Sequence, residues 1–139
     1  MPSKILIVDD EPYMLRIIEL SLRKGGHQLI VGRNGREAVA LALREKPQAI
    51  VMDVLMPEMD GLQALRAVRQ DPATAAIPVI MLTARGQILT RQEAEASGAS
   101  LFLTKPFSPT QLLNEVERLI APQPSPEGIP SAMLQPNPA

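Results

Sequence analysis

Cysteine is absent from this chain, and aromatic residues make up only 2% of its 139 positions. The first absence excludes disulfides and thiolate metal sites and suits a reducing compartment. The second means that any core must be built from Leu, Ile, Val, Met and Ala, which the 45% hydrophobic content can supply. An excess of one charge sign is missing too: 14 basic side chains stand against 15 acidic ones, a formal net charge of −1. So even a balance exerts no long-range pull on nucleic acid or an anionic membrane. Long apolar runs are also lacking. No stretch reaches the roughly 18 residues of a membrane span, and the N-terminal MPSKILIVDD enters a short apolar run with no signal-type core. The expectation is a soluble, cytoplasmic protein with room for one domain.

What is present is alternation. Four short apolar runs, Ile5–Val8, Ala49–Met52, Val79–Leu82 and Leu101–Leu103, and a weaker one at Gln28–Gly32, suit strands covered on both faces. Amphipathic stretches lie between them. Met14, Leu15, Ile18 and Leu22 share one helical face, as do Leu62, Leu65 and Val68, and in the last stretch Leu112, Val116, Leu119 and Ile120. Asn34-x-x-Glu37, Asp60-x-x-Gln63 and Ser108-x-x-Gln111 have the pattern of capping boxes, in which a cap acceptor is met by a residue reaching back from three positions on. Pro12 and Pro109 suit a first helical turn, and Gly25-Gly26 and Gly98 suit helix ends. Between Gly86 and Ser97 the apolar face is thin, and Thr90-x-x-Glu93 predicts a late helix start. Five βα repeats result, so the fold class is α/β: a parallel sheet with helices on both faces, joined by right-handed crossovers. Beyond Ala121, Pro122, Pro124, Pro126, Pro130, Pro136 and Pro138 punctuate a segment with little apolar content. Residues 1–121 are therefore read as the domain, and 122–139 as a disordered or extended tail.

In such a sheet, ligands bind beyond the carboxyl ends of the strands, near the point where strand order reverses. The strands are expected to end in Asp9-Asp10, in Asp53, in Thr83-Ala84 and in Thr104-Lys105-Pro106. That gathers three carboxylates, a hydroxyl and an ammonium at one end. A lone strand-end Asp more often caps a helix, and Asp10 before Glu11-Pro12 suits that role as well. Lys105 alone suits a solvated surface. Three close carboxylates, however, must either take up protons or share a cation. An all-oxygen set with few protein ligands suits Mg²⁺, which keeps several waters and accepts a phosphate oxygen in its shell. Asp53 would then be a nucleophile toward phosphorus, with Lys105 and Thr83 balancing the phosphoryl oxygens.

Four motifs carry a resemblance: ILIVDDE (5–11), VMDVLMPEMDG (51–61), PVIMLTARG (78–86) and GASLFLTKPF (98–107). On these, residues 3–121 resemble the receiver domain of two-component response regulators, nearest in size to stand-alone chemotaxis-type regulators. The resemblance implies a flavodoxin-like, doubly wound sheet of five parallel strands in the order 2-1-3-4-5. It also implies Asp53 as phosphoacceptor, and Mg²⁺ (or Mn²⁺) held by Asp10 directly, by Asp9 through water, by Asp53 and by the backbone carbonyl of Leu55. Lys105 would pair with the phosphoryl group, Thr83 would be the switch hydroxyl and Phe102 the switch aromatic, with a cis Lys105-Pro106 bond. The implied partners are a histidine kinase or phosphotransfer protein and a downstream protein that reads the surface of the fourth helix, fifth strand and fifth helix. Nucleic acid and membrane are not among them. The implied assembly is a monomer or a phosphorylation-dependent dimer. The protein would not be an enzyme beyond its own phosphotransfer and self-dephosphorylation.

Some positions depart from the family pattern or fall outside it. Leu55 and Arg85, two residues beyond Asp53 and Thr83, flank the implied path of hydrolytic water and are expected to tune phosphoryl lifetime. Ser100-Leu101 stand where winged-helix regulators often carry two acids, which argues against their salt-bridged dimer. An aspartyl-phosphate hydrolase would want a second acid at position 55. A flavin binder would want a phosphate-cradling loop after the first strand, where two acids stand instead. A docking-only pseudo-receiver would not need all five pocket residues. The remaining open alternative is a receiver fragment of a larger regulator. His27 is expected at a surface turn, Arg66 and Arg69 on a solvated helix face near Asp71, and Met14, Met52, Met56, Met59 and Met81 as core or loop filling.

Overall fold

The computed structural model describes residues 3–54, 56, 59–83 and 91–121, without the side chains of Arg91, Ala94 and Glu95. Leu55, Arg85, Thr90 and the 122–139 segment lie outside the described residues. Strands and helices alternate as β1 (Lys4–Val8), α1 (Pro12–Arg23), β2 (Gln28–Gly32), α2 (Gly35–Glu45), β3 (Ala49–Asp53), α3 (Gly61–Gln70), β4 (Val79–Thr83), α4 (Arg91–Ala96), β5 (Leu101–Thr104) and α5 (Pro109–Ile120). The five strands form one parallel sheet in the order β2-β1-β3-β4-β5. This is the doubly wound, flavodoxin-like arrangement expected from the resemblance.

The continuous apolar runs are explained by two separate cores, one on each face of the sheet. Leu6, Val8, Ile50, Met52, Val79 and Met81 face Ala38, Ala42, Ala64, Leu65 and Val68 of α2 and α3. Their strand neighbours Ile5, Ile7, Ala49, Val51, Ile80 and Leu82 face Leu15, Ile18, Leu22, Leu112 and Val116 of α1 and α5. Alternate residues of one strand thus serve opposite cores, which is why no polar alternation shows in the sequence. On edge strand β5, Phe102 packs toward the first core, and Leu101 and Leu103 toward the second.

The helix starts use the side chains expected of them. Asp60 and Gln63 form a reciprocal capping box on α3. On α2, Asn34 accepts from the Glu37 amide, while the Glu37 carboxylate reaches one residue further back, to the amide of Arg33. Ser108 accepts from the Gln111 amide on α5. Gly26 and Gly98 take positive φ where α1 and α4 end. α4 is described over Arg91–Ala96, and its expected cap, Thr90, lies outside the described residues. No helix among the described residues is long and apolar enough to cross a membrane.

Two expectations need correction. His27 does not sit at the surface: only 8% exposed, its Nδ1 accepts from the Ser3 amide, while Nε2 lies 3.2 Å from Glu117 of α5. The imidazole is the plug between the N-terminus and the last turn of α5. Arg69 does not lie on a solvated face either. Its guanidinium donates to the carbonyls of Gly98, Ala75 and Ile77 at 2.9, 3.0 and 2.6 Å. These carbonyls belong to loops whose backbone has no ladder partner, so a long cation satisfies what the sheet leaves open. Arg66 is exposed, as expected.

Candidate functional site

The order β2-β1-β3 places the reversal of strand order between β1 and β3, so the residues following those strands meet in one crevice. Asp9 and Asp10 follow β1, and Asp53 ends β3. Each offers a carboxylate oxygen, and the three oxygens lie within 4.8 Å of one another. Asp9 is 1% exposed and Asp53 7%, whereas Asp10 is open to solvent. The Asp9 backbone is fixed by its amide, which donates to the Gly32 carbonyl. Its side chain accepts from the Glu11 amide at 3.0 Å.

Lys105 enters from the far side of the sheet. β5 pairs with β4 up to Thr83–Thr104, and the Lys105 amide then donates to the Thr83 carbonyl at 2.7 Å. The next bond, Lys105-Pro106, is cis. The ammonium stands 3.0 Å from Asp53 Oδ1 and 3.3 Å from Asp9 Oδ2. Among the described residues, Thr83, partly buried at the end of β4, makes one long hydroxyl contact of 3.5 Å, to the Leu103 carbonyl. Asp9, Asp10, Asp53 and Lys105 are thus brought together, with Thr83 at the neighbouring strand end. Phe102 lies two residues before Thr104 with its ring half-buried. Leu55 and Arg85 are outside the described residues.

The electrostatics follow from one ammonium serving two buried acids. Burial pushes the Asp9 carboxyl above the usual carboxylate range, although the Glu11 amide and Lys105 pull it down. Burial likewise raises Asp53, against its bond to Lys105 and with repulsion from Asp9 and Asp10 adding to the rise. For Lys105 burial works to lower the pKa, but Asp53 and Asp9 outweigh it and hold the ammonium above its ordinary value. The cluster keeps more negative than positive charge at close quarters, in a cleft with a solvated mouth. Oxygen-only donors, surplus negative charge and one open carboxylate together fit a hard, partly hydrated divalent cation. A groove of about 560 Å³ between α3 and α4, lined by Leu62, Arg66, Glu93 and Ala96, contains none of these acids.

Residue types alone could not reveal the backbone that shapes the cleft. Gly61 donates to the Val54 carbonyl at 2.7 Å, and a Cβ there would overlap the carbonyl oxygen of Asp53. Gly35 at the start of α2 donates to the Met59 carbonyl at 3.1 Å, and a Cβ there would overlap that oxygen. Gly61 admits backbone to backbone beside Asp53, and Gly35 does so against Met59, ahead of α3. The only sequence signal was a glycine immediately after a helix cap, where a good helix former is expected.

Residues 5–117 match the family model described as the response regulator receiver domain. Protein PilH of Pseudomonas aeruginosa is 40% identical over 119 residues, which cover 86% of this chain and 98% of that protein. Among solved structures, the receiver domain of a sensor histidine kinase from Pseudomonas aeruginosa, with a magnesium ion coordinated in its active-site cleft, superposes with a TM-score of 0.79. It is 32% identical, over 86% of this chain and 98% of that one. Chemotaxis response regulator CheY4 of Vibrio cholerae gives a TM-score of 0.78 at 34% identity, over 86% of this chain and 99% of that one.

Proposed function

This chain belongs to the response regulator receiver domain family of two-component signalling, and on that premise we propose that it is a phosphorylation-dependent switch charged at Asp53. The observation that carries the reading is the setting of the Asp53 carboxylate. It is nearly buried at the end of β3, 3.0 Å from the Lys105 ammonium, with two more acids close by.

In the proposed reaction an Asp53 oxygen attacks the phosphorus of a phosphohistidine on a histidine kinase or phosphotransfer protein. The P–N bond breaks, its electron pair returns to the imidazole, and an aspartyl phosphate remains. Asp10 would bind Mg²⁺ directly and Asp9 through water, with Asp53 and the Leu55 carbonyl completing the protein ligands. The magnesium seen in the cleft of the receiver neighbour supports this set. When bound, the cation offsets the negative charge that otherwise opposes approach of carboxylate to phosphoryl group. Lys105, already between Asp53 and Asp9, needs only a small movement to pair with a phosphoryl oxygen. The Thr83 hydroxyl, held by one long contact, gives up little when it turns toward the same group.

Movement of Thr83 frees room beside Phe102, and the surface of α4, β5 and α5 changes with it to control a partner protein. A preference of a few kcal/mol for one arrangement suffices to move such a population. The domain comprises residues 1–121, with 122–139 a Pro-rich tail, and works in the cytoplasm as a monomer or phosphorylation-dependent dimer without binding nucleic acid or membrane. Incubation with acetyl phosphate and Mg²⁺, followed by intact mass, tests the central step. One phosphoryl adduct is expected on the wild type and none on Asp53→Ala. An adduct that survives the substitution refutes the assignment. A second reading, a receiver carried within a longer regulator, is favoured by the magnesium-bound neighbour, itself the receiver domain of a sensor kinase.

A further inference from the structure

We infer that His27 is a proton-operated latch between the lead into β1 and the last turns of α5, separate from the acid cleft. Both segments lie at the pole opposite the acids, and the imidazole stands between them. Its side chain is only 3% exposed. Nδ1 accepts from the Ser3 amide at 3.2 Å, and Nε2 lies 3.2 Å from Oε2 of Glu117. Ring and carboxylate meet over the bare α-carbon of Gly25, where a Cβ would come 2.7 Å from His27 Nε2 and 2.6 Å from Glu117 Oε2. Four residues from separate parts of the chain thus build one contact: a donor, a ring, a carboxylate and a glycine that leaves room for them.

The partners assign the ring proton. A neutral imidazole has one N–H and one bare nitrogen. The Ser3 amide can only donate, so Nδ1 is the bare nitrogen and the N–H at Nε2 donates to Glu117. The neutral ring therefore holds both segments. A second proton can go only to Nδ1, where it faces the Ser3 N–H. Two donors do not bond each other, so Ser3 is let go. The opposite contact strengthens, because imidazolium and carboxylate form a charge-assisted bond. Among the described residues Glu117 is the charged group bonded to the ring. Lys4, beside Ser3, is held by Glu45 at 3.2 Å, and Arg23 and Lys24 at the end of α1 are exposed. Release stays local, since the Gln28 amide still donates to the Ser3 carbonyl at 2.9 Å and the Gln48 amide to the Lys4 carbonyl at 2.8 Å. The proton thus frees the lead into β1 without opening the sheet.

Histidine is the side chain whose charge ordinarily changes between about pH 5 and about pH 8, so NMR of the ¹⁵N-labelled full chain across that range is the test. At the alkaline end the ring nitrogens should show the Nε2–H tautomer. On acidification the protection of the Ser3 amide, corrected for the intrinsic pH dependence of exchange, should fall about fivefold, the worth of one ordinary hydrogen bond. The fall should follow the ring titration, while the Gln28 amide keeps its protection. Both measurements use the wild type, so neither depends on a variant that folds. In Glu117→Gln the Ser3 transition should move to more acidic pH, because the protonated ring has lost its carboxylate; a merely space-filling histidine would show no such shift. A neutral ring protonated at Nδ1 overturns the inference. So does Ser3 protection that ignores the ring titration, that is lost only together with Gln28, or whose midpoint is the same in Glu117→Gln.

Discussion

Neutralising one buried acid should make the metal-free protein more stable. Asp9→Asn is the cleanest perturbation, because the amide oxygen of Asn can still accept from the Glu11 backbone. At an effective dielectric of about 20, Asp9 and Asp53 with oxygens no more than 4.8 Å apart repel by at least about 3.5 kcal/mol. Asp10 is exposed, so its repulsion of Asp9 falls to about 2 kcal/mol. The attraction of Asp9 to Lys105 at 3.3 Å is about 5 kcal/mol on the same scale. These terms nearly cancel. What remains is the dehydration of a carboxylate that is 1% exposed, which costs several kcal/mol and is partly offset by the Glu11 bond.

The expected gain for Asp9→Asn is therefore about 1–3 kcal/mol, an increase of roughly 1 M in the urea midpoint. The assay is urea unfolding followed by far-ultraviolet circular dichroism, in EDTA at neutral pH. The pH dependence has a definite sign. Burial raises the native pKa of Asp9 above its unfolded value, so protonation favours the folded state. Its contribution is intact below the ordinary carboxylate range and is lost as pH rises through the raised native pKa. The advantage of Asn should accordingly be full at neutral pH and close as the solution is acidified. Adding Mg²⁺ at neutral pH should also narrow it, because the cation stabilises only the protein with the full acid set. An Asp9→Asn variant that is less stable than wild type in EDTA, or an advantage that grows on acidification, refutes the reasoning.

Arg69→Met should cost about 2–4 kcal/mol in urea unfolding, since three charge-assisted bonds to loop carbonyls are lost together. His27→Ala should cost about 1–3 kcal/mol by the same measurement, from a cavity and from the Ser3 amide left without its acceptor. Both should leave Mg²⁺ affinity unchanged, because neither touches the acids. Thr83→Ala is expected to retain the phosphoryl adduct by mass but to lose the phosphorylation-induced change at the Phe102 ring, read by NMR. Replacing Leu55 and Arg85 together with serine should change the lifetime of the adduct, and an unchanged dephosphorylation rate would count against their tuning role.

The elements that could be read from residues share one property: their cause is local. A strand between two helical layers must be apolar throughout, so Ile5–Val8 and Ala49–Met52 announced themselves. Asp60 and Gln63 need only each other, so their box was legible. The acid cleft was legible for a topological reason, since alternating βα units place all strand ends at one pole. His27 and Arg69 were misread because their partners come from distant segments: the Glu117 contact spans 90 residues and the Gly98 contact 29. Nothing in the neighbourhood of either residue encodes that approach. Gly35 and Gly61 were hidden for a related reason. Their value lies in a side chain they lack, and the space it would fill belongs to another part of the chain.

The reach of Lys105 has a consequence for biosynthesis. The ammonium and Asp9 are separated by 96 positions, and they meet only after β5, which among the described strands pairs with β4 alone, has been laid down. A chain emerging from the ribosome can pair β1 with β3 and bring its three acids together long before that strand exists. Such a fragment holds the negative charges without their counter-ion, which is a reason for it to stay loose. Completion of the last βα unit therefore both closes the sheet and supplies the missing charge.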